Sequence, residues 1–159
     1  MSQRRLVLVS AIIAFCVLFD QGTKALAQAA LPQSTIHLVG DLVRLRLSSN
    51  TGAFLSFGAN FPPVLRFWIF TIFSALLVLG VIVYALTTEA LPRDAIIALA
   101  FLGGGGLSNL IDRIFRDGHV IDFLNFGIGN LRTGILNLAD IAITFGALYV
   151  MWVGLWHTE

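Results

Sequence analysis

Residues 135–156 read "ILNLADIAITFGALYVMWVGLW". This run is long and apolar enough to cross a bilayer as a helix, because about 20 such residues span the hydrocarbon core. One aspartate, Asp140, lies near its start, and a second, Asp122, lies upstream in the apolar segment "GHVIDFLNF" (118–126). Because charged groups are costly in apolar surroundings, two carboxylates in these segments indicate a functional site.

The composition of the chain indicates a membrane protein. Of its 159 residues, 57% are hydrophobic and only 12% are charged, and its mean hydropathy is +0.87. A very apolar soluble helical protein is the alternative, but ordinary soluble domains have about 25% charged residues. The net charge of +1 and the lack of a basic run give no support to nucleic-acid binding. Cys16 is the only cysteine, so an internal disulfide is excluded.

Four apolar stretches predict four transmembrane helices, and hence an α-helical integral membrane protein. The stretches cover approximately residues 6–27, 67–86, 95–115 and 136–156. The first stretch has an alternative interpretation as a cleaved signal peptide, because Arg4 and Arg5 precede it and a small-residue "ALA" ends it. Asp20 and Lys24 argue against that alternative, since a signal peptide has no use for charges just before its cleavage site. We therefore treat residues 1–159 as one membrane domain.

Residues 28–64 are more polar than the spans beside them and predict a small β-sheet module inserted between helices one and two. "VRLRL" (43–47) alternates aliphatic residues with arginines, which is the period of a half-buried strand. "SSNTGAF" (48–54) follows, and Asn50 and Gly52 supply turn chemistry. The sequence thus predicts a strand with its two arginines on one face, followed by a turn.

Polar residues of the first and third predicted helices fall at matching depths. With a rise of 1.5 Å per residue, Asp20 and Lys24 lie roughly 21 and 27 Å along the first helix. Asn109 and Arg113 lie roughly 22 and 28 Å along the third helix. Each pair is four residues apart and shares a helix face. Asp140 begins the fourth helix at the same end, so these residues predict one site rather than isolated side chains that extend to the lipid headgroups.

Among the polar residues at this depth, the carboxylates have the clearest possible catalytic role. Two aspartates within about 3 Å share one proton, so one can activate water while the other donates to a carbonyl group. Asp122 and Asp140 suit this role because apolar neighbours favour retention of a proton. A compatible structural role exists for "NLAD", in which Asn137 caps the fourth helix and Asp140 lies in its first turn.

Other chemistries have less support in the sequence. His119 lies three residues before Asp122, but no further ligand cluster accompanies this pair, so we expect neither a metal nor a cofactor. "GGGG" at 103–106 lies inside an apolar span and indicates close helix packing. A proton-coupled transporter or channel subunit is the alternative function, with Asp20, Asp122 and Asp140 as a proton relay. The crowding of these carboxylates at one face and the lack of a visible inverted repeat disfavour it.

Four segments together resemble the sequence boxes of the lipoprotein signal peptidases, also called signal peptidase II. They are "FDQGTKA" (19–25), "NTGAFLSF" (50–57), "GGLSNLIDRIFRDGHVIDF" (105–123) and "LNLADIAIT" (136–144). The resemblance implies a four-helix membrane aspartic endopeptidase with a small extracytoplasmic sheet. Such an enzyme removes the signal peptide from diacylglyceryl-modified prolipoproteins by cutting before the lipidated cysteine.

By matching motif, the resemblance implies that Asp122 and Asp140 are the catalytic pair. Seven further residues would shape the site or orient substrate, namely Asp20, Lys24, Asn50, Gly52, Asn109, Arg113 and Asn137. The chain departs from the family at Ser108, where glycine is common, and at Leu136 and Ile141, where phenylalanine and serine are common.

The resemblance also implies a location in the bacterial inner membrane, with both termini in the cytoplasm and the site near the extracytoplasmic face. Expected partners are the prolipoprotein substrate and membrane lipids, and we expect a monomer. The positive-inside rule points the other way, because three basic residues lie on the proposed inner side and seven on the outer side.

Two more aspartates, Asp112 and Asp117, flank Arg113 and Arg116. Carboxylates in such a charged turn are expected to be solvated partners of arginine. We therefore predict that neither Asp112 nor Asp117 belongs to the catalytic pair.

Overall fold

The computed structural model describes residues 2–31, 35–52 and 57–156. Its long helices are α1 (Gln3–Ala30), α2 (Pro63–Thr87), α3 (Arg93–Phe115) and α4 (Leu138–Trp156). The first three are long and apolar enough to cross a membrane, and α4 contains a slightly shorter apolar stretch, Leu138–Gly154. The prediction of an α-helical membrane protein with a small sheet is confirmed.

Polar contacts at the helix ends fix where α1 and α2 meet. The Arg5 guanidinium donates to the carbonyl oxygens of Ala85 (2.7 Å) and Thr88 (2.8 Å). Ala85 lies in the last turn of α2 and Thr88 caps the helix, where no intrahelical donor remains for these carbonyls, so Arg5 donates to them instead. Pro63 opens α2, a position that tolerates proline because the first N–H has no helical partner. Within α2, Phe67–Phe73 is π-helical.

Helix α3 contacts the other three helices, and its glycines permit the close approach. A Cβ on Gly104 would lie 2.8 Å from Cβ of Cys16 in α1. A Cβ on Gly105 would lie 2.5 Å from the carbonyl oxygen of Ala139 in α4, and one on Gly106 would meet a side chain of α2. The predicted packing role of "GGGG" is thus confirmed.

Four antiparallel strands form a sheet in the order β1-β2-β3-β4. They are β1 (Thr35–Leu38), β2 (Val43–Asn50), β3 (Val120–Ile128) and β4 (Leu131–Leu136). Strands β1 and β2 lie in the predicted 28–64 module, but β3 and β4 come from the connection between α3 and α4. The sequence analysis missed them because the first four residues of β3 are all buried, which removes the alternation expected of a half-exposed strand.

Strand β2 connects the sheet to the end of α1 and to the site. Leu45 and Leu47 pack against the buried cluster of Ala27, Leu31 and Phe123. The register then shifts between Leu45 and Ser48, which marks a β-bulge. Beyond the bulge, Ser48 pairs with Asp122. Residues 53–56, which include the last two residues of the predicted turn segment 48–54, lie outside the described residues.

We expect Gly105→Ala to lower the thermal unfolding midpoint of the protein in detergent. The added methyl group would meet the backbone of α4, which cannot move aside as a flexible side chain can, and such overpacking costs about 1–3 kcal/mol. Gly80→Ala in α2 is the matched control, because a Cβ there meets nothing within 4 Å. Equal midpoints for the two variants would contradict the close packing of α3 against α4.

Candidate active site

Lys24, the only lysine of the chain, is completely buried at 0% exposure. Its ammonium group lies 2.7 Å from the Asp20 carboxylate, 2.8 Å from the Asp112 carboxylate and 3.0 Å from Oδ1 of Asn109. An ammonium group has three donor hydrogens, so these three partners satisfy it fully. The predicted pairing of Asp20 with Lys24 is therefore present, and α3 contributes the two other partners.

The position of Asp112 corrects the prediction of a solvated partner of arginine. Asp112 is only 1% exposed. Besides Lys24, it accepts hydrogen bonds from the backbone N–H of Ile121 (3.1 Å) and from the side chains of Gln21 (2.9 Å) and Arg116 (3.2 Å). The carboxylate therefore connects α1 and α3 to the start of β3. Asp117, in contrast, is exposed as expected.

Asp20 connects α1 to the start of α4. Its Oδ1 accepts a hydrogen bond from the backbone N–H of Ala139 (2.9 Å), one of the unpaired amides of the first turn of α4. Its Oδ2 accepts from Oγ of Ser108 (2.7 Å) as well as from Lys24. The negative charge also lies favourably at the positive end of the α4 dipole. The family commonly has glycine where this chain has Ser108. The serine hydroxyl therefore gives Asp20 a hydrogen-bond donor that glycine would lack.

Asn137 and Asp140 form a reciprocal cap at the start of α4, as the sequence predicted. The backbone N–H of Asp140 donates to Oδ1 of Asn137 (2.8 Å), and the backbone N–H of Asn137 donates to Oδ2 of Asp140 (3.2 Å). This is the arrangement of a capping box, with aspartate in the position usually taken by glutamate. The cap fixes the direction in which the Asp140 carboxyl group points.

Asp122 lies on β3 with 2% of its surface exposed. Its carboxyl group accepts hydrogen bonds from the side-chain amides of Asn137 (2.7 Å) and Asn50 (3.1 Å). Burial, and secondarily the nearby charge of Asp140, raise the pKa of Asp122 to about 7, although the two amide donors act in the opposite direction. Asp122 can therefore hold a proton near neutral pH.

Two asparagines join the aspartate of the sheet to the aspartate of the helix. Asn137 contacts Asp122 through its side chain and Asp140 through its backbone N–H. Asn109 donates to Oδ1 of Asp140 (2.9 Å) and accepts from Asn137 (3.0 Å) and Lys24. The structure thus brings Asp122 and Asp140 into one hydrogen-bonded network that ends at the buried lysine.

Arg113 and Gly52 lie beside this network. The Arg113 guanidinium donates to the carbonyl oxygens of Gly52 (3.0 Å) and Asn109 (3.4 Å). The backbone N–H of Gly52 donates to Oδ1 of Asn50 (2.9 Å). A side chain at position 52 would collide with the backbone of Phe57. The loop after β2 therefore needs glycine here, and Arg113 holds it near the carboxylates.

A cavity of about 450 Å³ opens next to Asp140 between α2, α3 and α4. Asn109, Arg113 and Asp140 form its polar end. Apolar residues dominate the remaining lining, namely Leu77, Val78, Val81, Leu102, Gly106 and Ile143, with Ser74 and Thr144. The cavity suits an apolar chain that presents a polar group to the carboxylates.

His119 contacts β2 and does not line this cavity. Its Nδ1 is 2.8 Å from Oγ of Ser49. In the part of the chain that the structure describes, no group of three or more histidine, cysteine, aspartate or glutamate side chains has the geometry of a metal site. Among the described residues, therefore, His119 and Asp122 are not part of a larger group of possible metal ligands.

Sequence reasoning missed Asp112, Ser108 and Gln21 as parts of this network. A signal for Asp112 was available, because Asn109 and Asp112 are three residues apart and lie on the same face of a helix. The neighbouring arginines hid it, since they offered solvated partners in the sequence. Gln21 had no such signal, because only tertiary packing places it against α3.

We expect Lys24→Met to destabilise the protein severely, or to prevent its folding. The substitution leaves the buried carboxylate of Asp20 without a cation and Asp112 with Arg116 alone, and breaking a buried ion pair costs about 3–5 kcal/mol. The check is the thermal unfolding midpoint in detergent. Arg66→Met is the control, because the side-chain hydrogen bond of Arg66 to the described residues is long, at 3.4 Å to the carbonyl oxygen of Ala59. Similar midpoints for both variants would contradict the central role of Lys24.

Comparison with known proteins identifies the family. The family model for signal peptidase (SPase) II matches residues 12–156. The lipoprotein signal peptidase of Tropheryma whipplei (strain Twist) is 37% identical over 143 residues, covering 86% of both chains. That of Nitratidesulfovibrio vulgaris (strain DP4) is 37% identical over 146 residues, covering 88% of this chain and 84% of its own. That of Paraburkholderia phytofirmans is 39% identical over 135 residues, covering 85% and 77%.

Solved structures of bacterial membrane enzymes share the fold. One superposes with a TM-score of 0.81 at 23% identity and covers 95% of this chain and 89% of its own. A second gives 0.77 at 22% identity, with 95% and 94% covered. Together with the sequence matches, these findings show that the chain is a multi-pass membrane protein that belongs to the signal peptidase II family of peptidases.

Proposed function

We propose that this protein is an aspartic endopeptidase that removes the signal peptide from diacylglyceryl-modified prolipoproteins, before the lipidated cysteine. The observation that carries the proposal is the network in which Asn137 contacts both Asp122 and Asp140. Two carboxyl groups with one retained proton are sufficient to hydrolyse an amide without a cofactor. The relatives named lipoprotein signal peptidase supply the substrate class. They give no support to the alternative of a proton-coupled transporter.

The two carboxyl groups take different roles in this proposal. Asp140 lies in the first turn of α4, where its carboxyl group accepts hydrogen bonds from the backbone N–H of Asn137 and the side chain of Asn109, and we assign it the role of general base. Asp122 holds the proton, in keeping with its raised pKa. Asp140 accepts a proton from water as the water attacks the scissile carbonyl carbon, and Asp122 donates to the carbonyl oxygen. Asp140 then gives the proton it took from water to the amide nitrogen, the C–N bond breaks, and a hydroxyl of the tetrahedral intermediate returns its proton to Asp122, which releases the two peptide products and restores the pair.

The other predicted site residues support this pair. Asn50, Asn109 and Asn137 donate hydrogen bonds that fix the orientation of the two carboxyl groups. Arg113 binds the carbonyl oxygen of Gly52 beside them, and its guanidinium is suitable for binding a substrate backbone. Asp20 and Lys24 act through these groups and fix the start of α4 and the position of Asn109.

The substrate enters, in this proposal, through the cavity between α2, α3 and α4. Its apolar walls suit the apolar segment of a signal peptide, and its polar end contains Asp140 and Arg113. A cut at this level releases a product that remains anchored by its lipid. The chain works as a monomeric single domain, with 28–64 as an extracytoplasmic module and membrane lipids around the helices.

We expect Asp122→Asn and Asp140→Asn each to lower the rate of prolipoprotein cleavage by about 10²–10⁴-fold or more. Each change keeps the size of the side chain and one of its two acceptor oxygens but removes its acid–base chemistry. Because the pair acts as a unit, the double variant should be little worse than either single one. The measurement is cleavage of a purified lipidated prolipoprotein. Asp117→Asn, at an exposed position, is the control and should keep most activity.

If Asp122→Asn or Asp140→Asn were correctly inserted and still cleaved the substrate at nearly the wild-type rate, the assignment of the catalytic pair would be wrong. Because Asp112 is buried and holds Lys24, we expect Asp112→Asn to lower stability as well as activity. The unfolding midpoint therefore has to accompany every rate measurement.

We expect the cleavage rate to fall as pH rises through about 7, the pKa of Asp122, because the pair then loses its shared proton. Asn50 donates to the Asp122 carboxylate and favours its charged form. Asn50→Leu should therefore raise this pKa further and move the descending limb of the pH profile to higher pH. The profile of kcat/KM tests this, with Asn60→Leu at an exposed position as control. A limb that moves to lower pH would contradict the role of Asn50.

We propose that both termini are cytoplasmic and that the sheet and the carboxylates lie at the extracytoplasmic face of the inner membrane. The basic residues on the outer side are accounted for in part by contacts within the protein, such as those of Lys24 and Arg113. A topology reporter that functions only in the cytoplasm should be active when it is fused after Glu159. Activity of an extracytoplasmic reporter at the same position would overturn this orientation.

A further inference from the structure

The end of the sheet farthest from Asp122 exposes large aliphatic side chains. Val39 in the β1–β2 turn is 73% exposed, and Ile128 and Leu131 beside the β3–β4 turn are 72% and 85% exposed. The two turns are neighbours, because the backbone N–H of Gly127 donates to the carbonyl oxygen of Leu42 (2.9 Å). We name this group the aliphatic tip, and it consists of Leu38, Val39, Leu42, Ile128 and Leu131.

Turn chemistry does not account for the aliphatic tip. Val39 has a φ of +52°, in the left-handed region that asparagine and glycine adopt readily and that a β-branched residue adopts at a cost. The side chain of Val39 nevertheless extends into the surroundings instead of packing in a core. A large exposed apolar group of this kind indicates an interaction surface.

A charged cluster lies directly behind the aliphatic tip. Asp41 accepts two hydrogen bonds from Arg44, both at 2.7 Å, and one from Arg132 (3.2 Å). Asp41 also lies 2.9 Å from Nδ1 of His37. With two arginines for one aspartate, the cluster has an excess of positive charge. An apolar tip with a basic rim matches the interface of a bilayer, where acyl chains lie beneath anionic phosphates.

The tip lies close to the end of α1. Leu26, in the last turns of α1, is 70% exposed and marks lipid-facing surface. Leu45, two residues after the start of β2, packs against the buried cluster of Ala27, Leu31 and Phe123 at the end of that helix. Two strand residues span roughly 7 Å, so the β1–β2 turn lies a short distance from the end of a membrane-spanning helix.

We propose that the aliphatic tip inserts into the interfacial region of the bilayer, with the net positive cluster of Asp41, Arg44 and Arg132 at the level of the lipid phosphates. The sheet is then supported at both ends, by the helices at Asp122 and by lipid at the tip. This contact would hold β2 and β3, which contain Asn50 and Asp122, at a fixed height above the membrane. The proposal concerns a lipid contact and does not depend on which reaction the carboxylates perform.

The test places a fluorescent label at the tip of protein in phosphatidylcholine–phosphatidylglycerol vesicles. In a Cys16→Ala background, Val39→Cys carries an environment-sensitive dye. We expect a blue-shifted emission, strong quenching by lipids spin-labelled near the headgroup, and weak quenching by iodide in the water. Strong iodide quenching with no effect of the spin-labelled lipids would overturn the proposal.

A matched pair of variants tests whether the aliphatic group itself makes the contact. Leu131→Ser removes an exposed aliphatic side chain, and Asn130→Ser removes an exposed polar one next to it. Leu131→Ser should reduce quenching of the Val39 label by lipid, and Asn130→Ser should leave it unchanged. Equal effects of the two variants would contradict insertion of the tip.

Two further measurements keep the proposal testable if the labelled variants fold poorly or associate. Hydrogen exchange of the unmodified protein should slow at residues 38–42 and 128–131 on transfer from detergent to bilayer discs, and unchanged exchange there would count against it. Energy transfer between donor- and acceptor-labelled copies should be absent at low protein-to-lipid ratio. Energy transfer together with protection from iodide but no lipid quenching would assign the tip to a second copy of this chain instead.

Discussion

The structure depends on the ammonium group of Lys24. Its three hydrogens bind Asp20, Asp112 and Asn109, so one buried cation holds groups from two helices and, through Asp112, the first residues of β3. The guanidinium of Arg116, 3.2 Å from Asp112, supplies a second positive charge for the two carboxylates. Neutral donors around Asp20 and Asp112, including Ser108 and backbone amides, satisfy their remaining acceptor positions, which makes the burial of so many polar groups tolerable.

From this lysine, hydrogen bonds lead to the two candidate catalytic carboxyl groups. Asn109 accepts from Lys24 and donates to Asp140, and Asn137 accepts from the backbone of Asp140 while it donates to Asp122. An amide side chain has both donors and acceptors, so it can fix a carboxyl group without adding a charge that would compete for the shared proton. Structural and chemical roles are therefore difficult to separate, and stability has to be measured with activity.

The sheet and the helices contribute one aspartate each, so the relative position of sheet and bundle decides the geometry of the pair. Asp112 fixes the start of β3, and Leu45 and Leu47 of β2 pack against the buried cluster at the end of α1. Within the bundle, the glycines of α3 permit the approach of α4 that places Asp140 near Asn109. A contact of the aliphatic tip with lipid would add a third support at the far end of the sheet.

The sequence by itself determined the membrane class, the helices, the cap at Asn137 and the pairing of Asp20 with Lys24, because these follow from apolar runs and from spacings along one helix. The strand period also located β2. Only the tertiary structure decided that β3 and β4 complete the sheet, that Asp112 is a buried partner of Lys24, and that Gln21 and Ser108 join the network. These features depend on contacts between residues far apart in the chain, such as Lys24 with Asp112 and Ile121 with Asp112 across the α3–β3 turn. Local periodicity contains no information on which distant group will meet a buried charge, because packing of the whole bundle determines that contact.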